Sequence, residues 1–283
     1  MVAWVDVMKV SFLGLGGGYL TLLGAVVAAQ RRLIWMRPKE VARPTYGQVR
    51  VLSSTERRGT RAKDVAMLHV PPARAELPTF VHFHGNADQI GWGPEYVART
   101  LNANFGYGFL AVEYPGYGIA SEGGYPSETS AYSAAQRALE FLTDAEGLMI
   151  SNESLILIGE SIGCGIAVEM ARRGFGKKLI LIAPFLSLRS LILKILPIYL
   201  TWPVFIFPAL LFDKFDNARK IKELKIPTCI IHGDRDEIIP FSQGQELASM
   251  ASSVSFRAVV GGMHNDLFEK DEMYTYINEF LER

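Results

Sequence analysis

Cysteine is nearly missing from this chain. Only Cys164 and Cys229 occur in 283 residues, each inside an apolar run. A disulfide framework is therefore excluded, and buried free thiols are expected. An excess of one charge sign is missing too. Lys plus Arg number 29 and Asp plus Glu number 29, so the chain lacks the basic excess that a nucleic-acid partner requires. Histidine is scarce, with five in all: His69, His82, His84, His232 and His264. That leaves few candidates for a general base or a metal ligand. His82 and His84 share a spacing of two in "HFHGNAD", but the rest of a hydrolytic zinc pattern is absent, so no metal is expected. Internal repeats and low-complexity tracts are also absent.

What is present is apolar. Hydrophobic residues make up 49% of the chain, enough for a sizeable core, and the length suits one large α/β domain with an appendage. From Val10 to Gln30 no residue is charged. Such a stretch is long enough to cross a bilayer as a helix, with Trp4 and Trp35 as interfacial flanks. Its five glycines lower both hydropathy and helix propensity, and Gly14 and Gly18 form a small-xxx-small pair. A single-pass membrane anchor over residues 1–32 is the expectation. A cleaved signal peptide and a helix buried on the core are the alternatives. Arg31, Arg32, Arg37, Lys39 and Arg43 follow the segment, which puts the remainder, residues 33–283, on the cytoplasmic side of a membrane by the positive-inside bias.

Beyond the basic linker, apolar runs alternate with helical patterns. "VAMLHV", "PTFVHFHG", "FGYGFLAVEYPG", "SLILIGES", "KKLILIAPF", "PTCIIHGD" and "SFRAVVGG" read as strands. Residues 95–104, 127–143, 162–173, 241–251 and 266–281 read as helices. Near-continuous Val/Ile/Leu runs separated by helices predict a mostly parallel sheet covered on both faces. Functional loops then fall at the carboxyl ends of the strands. The segment Leu191–Phe212 breaks the alternation. Lys194 is its only charge, and Pro197, Pro203 and Pro208 prevent one clean helix. It is expected to form an apolar cap, about residues 186–215, or else short helices packed on the core.

"GESIG" stands where a buried strand meets a helix. Gly159, Gly163 and Gly165 give room for a sharp turn that lifts Ser161 from the sheet edge and points a helix amino end at it. A serine needs a base. His264, in "VVGGMHND" after the last strand, is the best of the five histidines, while His232 reads as structural. The base needs a carboxylate to orient it. Asp236 in "HGDRDEIIP" is favoured because it lies farther into the loop, with Asp234 as the fallback. The oxyanion donors are expected to be the amides of Ile162 and of Asn86, with Ala87 as an alternative to the latter.

Together, "HGNAD", "EYPGYG", "GESIG", "HGDRDEIIP" and "GGMHND" resemble the α/β-hydrolase superfamily, and within it the Bem46-like group with its ABHD13-type and ABHD17-type proteins. The resemblance covers roughly three quarters of the chain. It implies an α/β-hydrolase fold, a mostly parallel central sheet flanked by helices, with a Ser161–His264–Asp236 triad and no cofactor. Tyr114 and Tyr117, in the turn bordering the site, are expected to touch substrate, as are Leu191 and Trp202 from the apolar segment. The amino-terminal cysteine cluster of palmitoylated ABHD17-type depalmitoylases is absent here, which argues against that role. The expected activity is cleavage of ester or thioester bonds in acyl or lipid substrates. The rivals are a prolyl-oligopeptidase-type peptidase, for whose gating domain there is no room, and a non-catalytic membrane-bound scaffold. Nothing in the sequence sets the oligomeric state.

Overall fold

The computed structural model describes residues 2–52, 64–145 and 147–282, and side chains from residue 17 onward. The elements in chain order begin with α1 (Val2–Ile34), β1 (Gln48–Leu52), β2 (Val65–Val70), β3 (Thr79–Phe83), α2 (Gly93–Phe105), β4 (Gly108–Val112) and α3 (Glu128–Thr143). Next come β5 (Leu155–Glu160), α4 (Gly163–Arg172), β6 (Lys178–Ile182), α5 (Leu188–Ile195) and α6 (Ile198–Ile206). The chain closes with α7 (Asn217–Lys220), β7 (Thr228–Gly233), α8 (Phe241–Ser249), β8 (Val254–Val259) and α9 (Asp271–Leu281).

The eight strands form one sheet in the order β1-β2-β4-β3-β5-β6-β7-β8. β1 pairs antiparallel with β2, and β2 antiparallel with β4. All remaining pairs are parallel. Side chains alternate between two cores, as a period of two requires. Leu155, Leu157, Leu179 and Leu181 face one core with Ala135, Leu139 and Ile166 of α3 and α4. Ile156, Ile158, Ile180 and Ile182 face the other with Val97 and Leu101 of α2 and Met273 and Ile277 of α9. Burial on both faces is why these strands read as continuous apolar runs. β1 escaped the sequence pattern because "QVRVL" is a short edge strand that stays half in water. The expected helix at residues 266–281 starts later, at Asp271, after a single 3-10 turn over Leu267–Glu269.

Helix ends have chemical causes. Ser127 caps α3 by accepting from the Ser130 amide, and the Ser130 hydroxyl accepts from the Ser127 amide in return. α2 stops at Gly106, whose φ of 67° completes a left-handed cap. The apolar segment splits into α5 and α6, with Pro197 at the joint and Pro203 inside α6.

The amino-terminal segment differs from expectation. Among the described residues no helix is long and apolar enough to cross a membrane, so the single-pass anchor over residues 1–32 is not supported. Gly17, Gly18 and Gly24 dilute its apolar surface. Its carboxyl half is instead docked on the rest of the molecule, as in the alternative of a packed helix. Gln30 donates to Leu210 O at 2.8 Å and accepts from the Phe212 amide at 2.8 Å. The Tyr19 hydroxyl donates to Tyr199 O, and Trp202 Nε1 donates to Tyr19 Oη at 2.6 Å. Trp35 is buried against Tyr114, Tyr117 and Phe215. The Trp4 flank and the Gly14 half of the small-residue pair lie outside the described side chains.

Candidate active site

Ser161 sits in the turn between β5 and α4, at the carboxyl edge of the sheet. Its φ is 51°, the left-handed region that costs an L-residue about 1–2 kcal/mol. Its amide donates to Ile182 O of β6 at 2.9 Å, which ties the turn to the neighbouring strand. Two flanking glycines are sterically required. A Cβ on Gly163 would lie 1.9 Å from Phe83 O, and one on Gly159 would lie 2.6 Å from Cys164 Cα.

His264 reaches Ser161 from the loop between β8 and α9. Its Nε2 lies 3.1 Å from Ser161 Oγ and its Nδ1 lies 2.7 Å from Asp236 Oδ2. The Asp236 side chain is fully buried in the loop after β7. Its Oδ1 accepts from the Ile238 and Ile239 amides at 2.9 and 2.7 Å. His232 Nε2 stands behind it, 3.2 Å from Oδ2. Burial alone would raise the Asp236 carboxyl, but the hydrogen bonds from His232 and His264 and the Ile239 amide outweigh it, so its pKa falls well below the ordinary carboxylate range. Asp234 turns elsewhere and accepts from the Gly261 amide at 2.7 Å.

A cavity of about 770 Å³ opens over Ser161, within the usual size of a small-molecule site. Leu188, Leu191, Ile192 and Ile195 of α5, Ile238 and Ile239, and Leu33, Ile34 and Met36 make it largely apolar. Asn86, Asp88, Glu160 and His264 make one end polar. Burial pushes the Asp88 carboxyl up, partly offset by the charge of His84.

The expected substrate contacts divide. Leu191 lines the cavity, but Tyr114, Tyr117 and Trp202 do not. Tyr114 and Tyr117 are fully buried: the first stacks on His84 and donates to His84 O at 2.8 Å, the second donates to Asn86 Oδ1 at 2.6 Å. They hold up the loop after β3 from beneath. Trp202 is instead bound to Tyr19 of α1. Asn86 and Ile162 both line the cavity beside Ser161. The Asn86 side chain is taken up by the segment after α1, donating to Ile34 O and accepting from the Met36 amide at 3.0 Å. His82 and His84 lie buried below the sheet edge, with Nε2 atoms 3.5 Å from Glu160 and 3.4 Å from Glu113 respectively.

Sequence reasoning did not foresee that Ile34 and Met36 would wall the cavity. The Asn86 contacts that bring them there span about fifty residues and leave no local pattern. Glu160 was visible as the residue before Ser161, but nothing in "GES" reveals that it borders the cavity.

Comparison with known proteins places this architecture. The model of the alpha/beta hydrolase family matches residues 80–257. The chain is 29% identical over 226 residues to the alpha/beta hydrolase domain-containing protein aho-3 of Caenorhabditis elegans, covering 78% of this chain and 64% of that protein. It is 30% identical over 231 residues to human alpha/beta hydrolase domain-containing protein 17C, covering 80% and 62%. The chain thus spans less than two thirds of these relatives. Among solved structures, an esterase of Pyrococcus furiosus superposes with a TM-score of 0.64 at 17% identity, covering 88% of this chain and 97% of that one. A bacterial membrane phospholipase A superposes with a TM-score of 0.59 at 19% identity, covering 99% and 97%. At these identities the structural likeness concerns the fold.

Proposed function

The chain belongs to the alpha/beta hydrolase family, and from that premise we propose that it is a serine hydrolase cleaving ester or thioester bonds of acyl substrates. The observation that carries this reading is the unbroken series from Ser161 through His264 to Asp236, at 3.1 and 2.7 Å. In it Ser161 Oγ attacks the carbonyl carbon while its proton passes to His264 Nε2. Asp236, ionised and buried, accepts from Nδ1–H and stabilises the imidazolium. The amides of Ile162 and Asn86 receive the developing oxyanion. His264 then protonates the leaving alcohol or thiol. Water, deprotonated by the same ring, releases the acid. Residues 33–283 form the catalytic domain in this reading, with residues 186–215 as its cap.

The apolar wall of the cavity supports an acyl chain as the part held, with the bond to be broken at the polar end. Labelling with a fluorophosphonate probe tests the chemistry: the intact chain reacts and Ser161→Ala does not. Hydrolysis of p-nitrophenyl esters of increasing length tests the wall, with rates rising beyond acetate. A folded protein that takes up no probe sinks the reading.

A further inference from the structure

Exposed apolar side chains are not spread evenly over this molecule. Leu20, Leu22 and Leu33 of α1, and Ile198, Phe205 and Phe207 of the cap, are each more than half exposed. Scattered singly, such residues would mean little. Here Tyr19, Gln30 and their partners fasten α1 to the cap, so the two groups lie on adjoining elements.

Beside them lies a recess of about 510 Å³ lined by Arg31, Arg32, Arg37, Lys39 and Tyr125. The Arg37 guanidinium lies 4.6 Å from the Tyr125 ring centre, and that of Arg32 lies 5.6 Å away. In residues 17–39 and 188–212 every charged residue is a cation: Arg31, Arg32, Arg37, Lys39, Arg189 and Lys194. In a chain of zero net charge this is a local concentration. The two elements also meet the mouth of the Ser161 cavity, because Leu33, Met36 and Ile195 line that cavity and are themselves half exposed.

From this combination we propose that α1 and the cap form a monotopic docking face for a bilayer carrying anionic phospholipid. The apolar side chains enter the interface, and the cations of the recess meet phosphate headgroups. This is attachment to one leaflet, distinct from a span. The charge pattern selects the occupant. Arg31 is paired with the buried Asp213 of the cap at 3.5 Å; a second copy docked by a two-fold axis would bring the remaining cations against each other, whereas an anionic leaflet complements them. The inference stands apart from the hydrolase reading.

Sedimentation of the full chain with phosphatidylcholine vesicles, with and without phosphatidylserine, tests it. Binding is expected to the anionic vesicles and to weaken with salt. The double variant Arg32→Glu/Lys39→Glu should lower the affinity at least about tenfold, each basic residue near such a surface contributing appreciably. Phe205→Ser/Phe207→Ser should abolish binding, with an unchanged circular dichroism spectrum as the check on folding. Ser161→Ala should bind like the unaltered chain, so failure of the hydrolase chemistry and failure of docking read out separately. Absent binding, binding indifferent to phosphatidylserine, or a dimer in analytical ultracentrifugation that the phenylalanine variants dissolve overturns the proposal.

Discussion

Trp35 Nε1 donates to Asp213 Oδ2 at 2.9 Å, with the indole and the carboxylate both withdrawn from water. This bond fastens the end of α1 to the base of the cap, inside an aromatic cluster with Tyr114, Tyr117 and Phe215. Trp35, at the end of the amino-terminal segment, is thereby part of the domain core. Trp35→Ala should cost about 3–5 kcal/mol, the usual loss for a buried large aromatic. Trp35→Phe should cost less but still measurably, since it keeps packing and strands a buried carboxylate contact. Urea unfolding of both variants measures the order. Equal stability of Trp35→Ala and the unaltered chain would mean that α1 does not dock.

The turn at Ser161 separates backbone strain from chemistry. Alanine and glycine at this position both lack the hydroxyl, but only glycine is relaxed at a φ of 51°. Relief of about 1–2 kcal/mol of left-handed strain exceeds the roughly 0.5–1 kcal/mol that glycine loses in chain entropy. Ser161→Gly should therefore unfold at higher denaturant than Ser161→Ala, with neither variant labelled by a fluorophosphonate.

Asp236 should be needed in its ionised form. Asp236→Asn removes the acceptor that orients His264, and kcat/KM for p-nitrophenyl acetate should fall by about 10³–10⁴. The carboxyl also contributes to stability. Its folded pKa lies below the ordinary 3.8, so its contribution is full above that value and is lost as pH falls through the lower folded pKa. The stability gap between the unaltered chain and the asparagine variant should hold constant above about pH 5 and close in acid.

Glu169 and Lys220 form a buried ion pair at 2.9 Å that joins α4 to α7. Burial opposes ionisation of Glu169, but hydrogen bonds from Arg172, Lys220 and Arg173 bring its pKa from 4.5 down to about 2. Its stabilisation is thus complete above pH 4.5 and disappears as pH drops through 2. Glu169→Gln removes the nearer of two carboxylates at the buried Lys220 ammonium, Glu128 remaining 3.7 Å away and the Tyr132 hydroxyl 2.8 Å away, and should cost up to about 3 kcal/mol at neutral pH, the low end for a broken buried pair. Thermal melts across the acid range should find most of that difference erased near pH 2.

Much of this was legible in the sequence, for reasons that differ by element. β5, β6 and β7 could be read because parallel strands buried on both faces admit only apolar residues. Ser161, Asp236 and His264 could be named as candidates because a sharp strand-to-helix turn and two polar loops follow β5, β7 and the edge strand β8. The role of α1 could not be read. A charge-free run looks alike whether lipid or a cap covers it, and its partners Tyr199 and Leu210 lie about 180 residues away. Tyr114 and Tyr117 misled because their motif borders the site in sequence, whereas their hydroxyls bond inward to His84 and Asn86. Asp236 was favoured over Asp234 for its place farther into the loop, and the fold turns the one toward His264 and the other toward Gly261.

The three side chains at the sheet edge depend on strands distant in the chain. Ser161 and His264 are 103 residues apart, and the loops that carry Asp236 and His264 meet only after β7 and β8 have joined β6. Contacts of such long sequence separation are slow to form, because loop closure must precede them. On the proposed chemistry, fluorophosphonate reactivity should therefore be the last signal to return on refolding, after the spectroscopic signature of the helices. A refolding intermediate with native-like helical content should still be inert toward an ester.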